Sequence, residues 1–272
     1  MFHFEIRPAY VAAGESLRGH LPTWDLVPLI VKSNDDVRQE VFAMQLLDLV
    51  RTVCHRAGVP VWLQSFRIIA TSASTGLIEV VKDAISLDAL KKREGYESLL
   101  DHFCRSFGVA SHVEQAQARA AAQGGGSSRS RPITAYGSEA LLEKARRRFV
   151  RSLAGYSLFC YLFAVKDRHN GNILLDSRGH VIHIDFGFIL GIAPGGKFSL
   201  ETAPFKLTAE MAEVLGGEHS ILFSEFRMLL VQGLLALQVG FALVCAPQPT
   251  LWPCSVPFCV CILTSLSSCT SF

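Results

Sequence analysis

Residues 165–190 read VKDRHNGNILLDSRGHVIHIDFGFIL, and the reading of this stretch governs the rest of the chain. Asn172 and Asp185 stand thirteen positions apart, joined by the apolar-rich runs 173–175 and 181–184 with a turn signal, Asp176-Ser177-Arg178-Gly179, between them. That pattern predicts a β-hairpin. With Arg178-Gly179 as a two-residue loop, Ser177 faces His180, and counting outward sets Asn172 opposite Asp185 at the open end. Two oxygen ligands then meet at one point. Mg²⁺ is a hard cation that takes a few protein oxygens together with substrate phosphates. An Asn from a catalytic loop and the Asp of an Asp-Phe-Gly turn hold it in this way for phosphoryl transfer.

Protein kinases carry His-Arg-Asp with four residues before the Asn, whereas here Asp167-Arg168-His169 is followed by only two. This inverted order, with DRHNGN and HIDFGF intact, resembles the phosphatidylinositol kinases, and within them the beta-like, type III branch of the phosphatidylinositol 4-kinases. Six blocks carry the resemblance in the family's order: GHLPTW (19–24), VKSNDDVRQEVFAMQLL (31–47), GLIEVVKDAISL (76–87), KDRHNGNILLD (166–176), HIDFGFIL (183–190) and FKLTAEMAEVLGG (205–217). The resemblance runs from about 19 to about 238. It implies an α+β, bilobal kinase-like fold, incomplete at both ends, with a small β-rich lobe and a mostly helical large lobe. It also implies transfer of the ATP γ-phosphate to the 4-hydroxyl of phosphatidylinositol with Mg²⁺. A phosphatidylinositol 3-kinase, or a shortened chain without turnover, are the alternatives.

Composition fits a globular enzyme. The 272 residues are half hydrophobic, enough for a sizeable core. A net charge of +2 and the lack of a basic tract interleaved with aromatics disfavour nucleic acid as a partner. The start MFHFEIRPAYV does not read as a secretory signal. Cys54, Cys104 and Cys160 are scattered, as in a reducing cytosolic compartment. The family implies a cytoplasmic protein, peripheral on Golgi or endosomal membranes.

Four regions are expected. Residues 19–112 form the small lobe and hinge, with strand-like segments at 26–31, 67–71 and 76–81. Its long helix is read as capped by Asp36, with Gln39 closing a capping box and Val37, Phe42, Leu46, Leu47, Val50 and Val53 on its apolar positions. Residues 113–139, rich in Gly, Ser and Arg, are expected to be a disordered insert. Residues 140–238 form the large lobe, and 239–272 an atypical apolar, Cys-rich tail in place of the family's last helices. From Met228 onward there is no Asp, Glu, Lys or Arg. The run from Met228 reads either as a buried large-lobe helix or as a membrane span. No phosphate-covering loop aligns upstream of Lys32.

The resemblance assigns the remaining roles. Lys32 reaches the ATP phosphates and Glu40 positions it. Ile78, Glu79 and Val81 line the adenine hinge through their backbone. Asp167 and His169 are both candidates for handling the hydroxyl proton, and Asp185 with Asn172 holds Mg²⁺. Arg168 is expected to brace the loop through an acidic group. His183 is read either as a group near the metal or as a core histidine, and His180 as solvated. Lys197 and Lys206 are the only cations of the activation loop. So few cations point to plain phosphatidylinositol as substrate rather than a headgroup already bearing phosphates. The run Lys144-Ala145-Arg146-Arg147-Arg148 with Arg151 reads as a solvated helix face or a membrane contact.

Overall fold

The computed structural model describes residues 20–21, 27–107, 133–192, 194 and 203–245, without the side chains of 133–138 and 241–245. The chain divides into two compact units, Met1–Leu237 and Gln238–Phe272. The described part of the second unit, 238–245, is helical.

The small lobe is a three-stranded antiparallel sheet in the order β1 (Leu29–Ser33), β3 (Thr75–Glu79), β2 (Ile68–Ala70). Helix α1 (Arg38–Arg56) lies against it. The buried residues of α1 are Glu40, Ala43, Met44, Leu47, Val50 and Cys54, with Val37 just before them. These three- and four-residue steps keep one stripe facing the sheet. Phe42, expected on that stripe, is 45% exposed. Gly76 is needed at the contact, because a β-carbon there would lie 2.2 Å from Val37 Cγ2. The capping box does not form. Asp36 accepts from Arg38 N–H at 3.1 Å, and Gln39 turns across to another element.

The catalytic hairpin belongs to a second antiparallel sheet, in the order β4 (Ala84–Ser86), β5 (Ile173–Asp176), β6 (Val181–His183). Because β4 pairs with β5, the chain has entered the large lobe by Ala84, ahead of the boundary expected at 112. Helices α2 (Leu87–Lys91) and α3 (Leu99–Ser106) follow, capped by Ser86 and Ser98, whose hydroxyls accept from Ala89 and Asp101 N–H. The long helix α4 (Ile133–Leu162) starts seven residues inside the expected insert. The rest of that insert lies outside the described residues. Positions 152–160 of α4 are all buried, which a run without charged residues allows. Helix α5 (Ala209–Val214) packs on α3, where Glu210 accepts from Lys91 Nζ at 2.7 Å and Tyr96 Oη at 3.0 Å.

Helix α6 (Ile221–Cys245) bears on one alternative. By length and composition its stretch Ile221–Gly240 suffices to cross a membrane. Leu222, Phe226, Leu229, Leu230 and Leu237 are nonetheless buried on one face, and Gly233 lets Leu158 of α4 approach so closely that a β-carbon would meet it at 2.3 Å. The segment up to Leu237 packs as a core helix of the large lobe.

Candidate active site

On the small-lobe side, Lys32 Nζ lies 3.0 Å from Asp35 Oδ2 and 3.7 Å from Glu40 Oε1. Burial works against the charge of Lys32. The Asp35 hydrogen bond and the carboxylates of Glu40, Asp185 and Asp35 outweigh it, holding the amine above its ordinary range. Glu40 is buried on α1, and its Oε2 has no hydrogen-bond partner. Burial pushes its carboxyl up, Lys32 opposes the shift, and Asp185 and Asp35 add to it. Lys32 and Glu40 therefore share one electrostatic field with Asp185, which lies far along the chain. Asp35 was not foreseen. Its signal is the Asp35-Asp36 pair three residues past Lys32, reached through a left-handed Asn34 (φ 58°).

On the large-lobe side, Asp167 (φ 63°) and Asp185 (φ 58°) both take the left-handed conformation. Non-glycine residues are uncommon there, and such strain persists where surroundings over-determine it. Asn172 Nδ2 donates to Asp167 O at 3.0 Å and lies 3.4 Å from Asp167 Oδ2, which leaves the amide oxygen on its other side. His169 is 59% exposed at its side chain, with Nε2 3.9 Å from Asp167 Oδ2. Its Nδ1 accepts from Gly171 N–H at 3.0 Å. Arg168 is buried and braces the loop through main-chain carbonyls, donating to Lys166, to Ile184 at 2.8 Å and to Asp185. Its guanidinium also stacks over Phe186, 5.4 Å from the ring centroid. Phe186 in turn meets Phe159 of α4 edge to face.

The hairpin register differs from the expectation by one residue. Ile173 pairs with His183 and Leu175 with Val181, so Asn172 lies opposite Ile184, whose N–H donates to Asn172 O at 3.1 Å. The loop holds three residues because Asp176 Oδ1 accepts from both Arg178 and His180 N–H. His180 is not solvated: it is buried, bonded to Asp176 Oδ2 at 2.9 Å, and stacked on Trp62 at 4.0 Å. His183 is a core residue, stacked on Tyr156 at 4.6 Å and 3.5 Å from Cys160 Sγ. Burial first, with the Arg168 and Lys206 charges, holds its imidazole far below the ordinary range.

At the hinge, Ile78 is buried on β3 and the Glu79 carboxylate pairs with Arg67 at 3.1 Å. Glu79 N–H donates to Arg67 O and Val80 N–H to Pro28 O, so both donors are taken inside the sheet and Val81 is the next residue along. Lys206 Nζ donates to Asn170 Oδ1 at 2.8 Å, which ties the end of the activation segment to the catalytic loop. Lys197 lies outside the described residues. The basic run on α4 is engaged internally: Arg146 donates to Val214 O, Arg147 pairs with Glu143, Arg148 reaches Arg178 O and Arg151 lies 4.0 Å from Glu225.

Among the described residues no group of three or more His, Cys, Asp or Glu could hold a metal ion. The two residues expected at the metal, Asn172 and Asp185, offer an amide oxygen and a carboxylate. That is the set a Mg²⁺ ion uses when substrate phosphates fill its other positions. The sequence profile described as "Phosphatidylinositol 3- and 4-kinase" matches residues 26–244. The chain belongs to the phosphatidylinositol 3- and 4-kinase family. It is 43% identical over 218 residues to phosphatidylinositol 4-kinase beta of rat, mouse and human. The match covers 80% of this chain and 23% of each of these relatives, so the chain spans under a quarter of their length. The family assignment accounts for the two-lobed α+β architecture, and the match extends past the limit of 238 expected from the motifs.

Proposed function

We propose that the chain is the catalytic portion of a lipid kinase that transfers the ATP γ-phosphate to the 4-hydroxyl of phosphatidylinositol. The observation that carries this reading is the convergence of Lys32 and Glu40 from the small lobe on Asp185 from the large one. That is where a nucleotide triphosphate held between lobes needs its charge balanced. Likeness to the 4-kinases named above favours the 4-hydroxyl over the 3-hydroxyl.

In this reading adenine is read past Val80, at Val81, with Ile78 as a wall. Lys32 leaves Asp35 for the phosphates, and Glu40 keeps it oriented. Asn172 and Asp185 would hold Mg²⁺, which would supply charge neutralisation on the phosphates. The inositol hydroxyl oxygen attacks the γ-phosphorus, the bond to the β–γ bridging oxygen breaks, ADP leaves, and the hydroxyl proton passes to a base. Asp167 is that base, because His169 Nδ1 already accepts from Gly171. An imidazole whose Nδ1 lone pair is engaged carries its proton on Nε2 and serves as a donor toward the transferring phosphoryl oxygens. Lys206, beside the catalytic loop at Asn170, serves the phosphate of the lipid headgroup, and Lys197 is the other cation proposed for that role. The proposed setting is the cytoplasmic face of Golgi or endosomal membranes.

The test is a lipid-kinase assay on phosphatidylinositol vesicles with MgATP, with the product headgroup identified by chromatography. Asp185→Asn is expected to lower turnover by more than about tenfold, ~1.4 kcal/mol of barrier, because an amide does not replace an anionic ligand. A smaller loss removes Asp185 from the metal site, and a 3-phosphate product removes the 4-hydroxyl assignment.

A further inference from the structure

Four successive carbonyls, those of Ile184, Asp185, Phe186 and Gly187, are each met by a side-chain donor. Arg168 donates to the first two. Gln39 Nε2 serves the next two, at 3.2 Å from Phe186 O and 2.7 Å from Gly187 O. The first pair is held from the large lobe and the second from the small one. Gln39 is the residue before Glu40 on α1, so the helix that orients the Lys32 partner also grips the turn that carries Asp185.

An amide group has two hydrogens on one nitrogen, enough for two carbonyls, and no other neutral side chain of that length offers both. Asp185 itself sits at φ 58°. Its own Oδ1 accepts from Gly187 N–H at 3.2 Å, so displacement of Gly187 moves the carboxylate as well. A β-carbon on Gly187 would lie 3.3 Å from that oxygen, which leaves little room for a shifted turn.

We propose that Gln39 is a positioning residue for Asp185, coupling the seating of α1 to the geometry of the Asp185-Phe186-Gly187 turn. The inference rests on the lipid-kinase reading for what Asp185 does. The grip on the turn stands apart from that reading and is measured separately. Asp185 is poised for the metal only while α1 is docked, and Gln39 is the α1 side chain that holds the carbonyls of its turn.

The experiment compares Gln39→Met, which keeps length and loses both donors, with Gln39→Lys, which keeps donors at the end of a similar chain, in the full 272-residue protein. Hydrogen exchange of the 184–190 peptide is measured alongside the Mg²⁺ concentration for half-maximal ATP binding. In Gln39→Met both are expected to rise about tenfold, the scale of two lost hydrogen bonds, with metal-free ATP affinity within about twofold of the parent. Gln39→Lys restores both to within about threefold. If Gln39→Met leaves both unchanged, or Gln39→Lys fares no better than Gln39→Met, the proposal is overturned. Should the parent protein bind no MgATP, the kinase reading falls, and the exchange data alone then uphold or overturn the grip. Should Gln39→Met not fold, Gln39→Lys decides: parental exchange upholds the proposal and faster exchange overturns it.

Discussion

Gly171 has no side chain, and the catalytic loop depends on that. A β-carbon at this position would lie 2.8 Å from His169 Cε1 and 3.0 Å from Nδ1, so the exposed imidazole has to shift to make room. Gly171→Ala is therefore expected to swing the imidazole away and to cut turnover by about tenfold or more, since small misplacements at a reacting centre are costly. ATP affinity measured without Mg²⁺ stays within about twofold. Steady-state kinetics beside calorimetric ATP titration checks this, and equal losses in both would refute it. At this scale the sequence was uneven in what it disclosed. His169 stood out through its neighbours in DRHNGN, whereas His180, read as solvated, and His183, read as metal-side or core, are both buried by partners the local sequence does not single out. Trp62 and Asp176 bury one, Tyr156 and Cys160 the other. Asp35 was passed over because Glu40 already answered the question of what pairs with Lys32.

Among the elements, the catalytic hairpin shows how one carboxylate sets a register. Asp176 closes the loop through Arg178 and His180 N–H and the His180 ring, and burial of that carboxyl is outweighed by the His180 bonds, which hold it below its usual range. A depressed folded pKa contributes stability that is present above the unfolded value near ~3.9 and lost as pH falls through the folded one. Asp176→Ala is thus expected to lower stability by about 1–3 kcal/mol at pH 7, with the deficit shrinking below about pH 4. Denaturant melts across pH test the sign: a deficit that grows on acidification would contradict it. Sequence periodicity found the two strands but not the three-residue loop, because Ser177-Arg178-Gly179 and Arg178-Gly179 both satisfy turn chemistry. Since one residue of slip exchanges the faces of a strand, the expected meeting of Asn172 and Asp185 across the ladder does not occur. Asp185 sits instead on left-handed backbone and Asn172 ends the 3₁₀ turn Asn170–Asn172. In α1 the hydrophobic stripe was legible, while Gln39 was not, because its partners lie almost 150 residues on.

For the whole molecule, α3 and α4 are each held by their own packing. Phe103 of α3 meets Phe149 of α4 edge to face at 5.3 Å. The connection between them is rich in Ala, Gly, Ser and Arg. Replacing residues 114–131 with a short Gly-Ser linker is expected to leave ATP affinity within about threefold, because closure entropy changes by only ~0.6 kcal/mol per doubling of length. A larger loss in a folded variant, measured by calorimetry, would assign that connection a part in the site. The lobes were legible from six short blocks; their boundary was not, since the pairing of β4 with β5 leaves no mark in a three-residue strand. One residue ties distant parts together. Trp62 donates its N–H to Arg151 O on α4, its carbonyl passes within reach of Gly155, and its ring lies on His180. It is the only tryptophan among the described residues. The indole thus lies against the catalytic hairpin, and with Trp24 and Trp252 replaced by Phe its emission carries an optical record of whether that hairpin is docked.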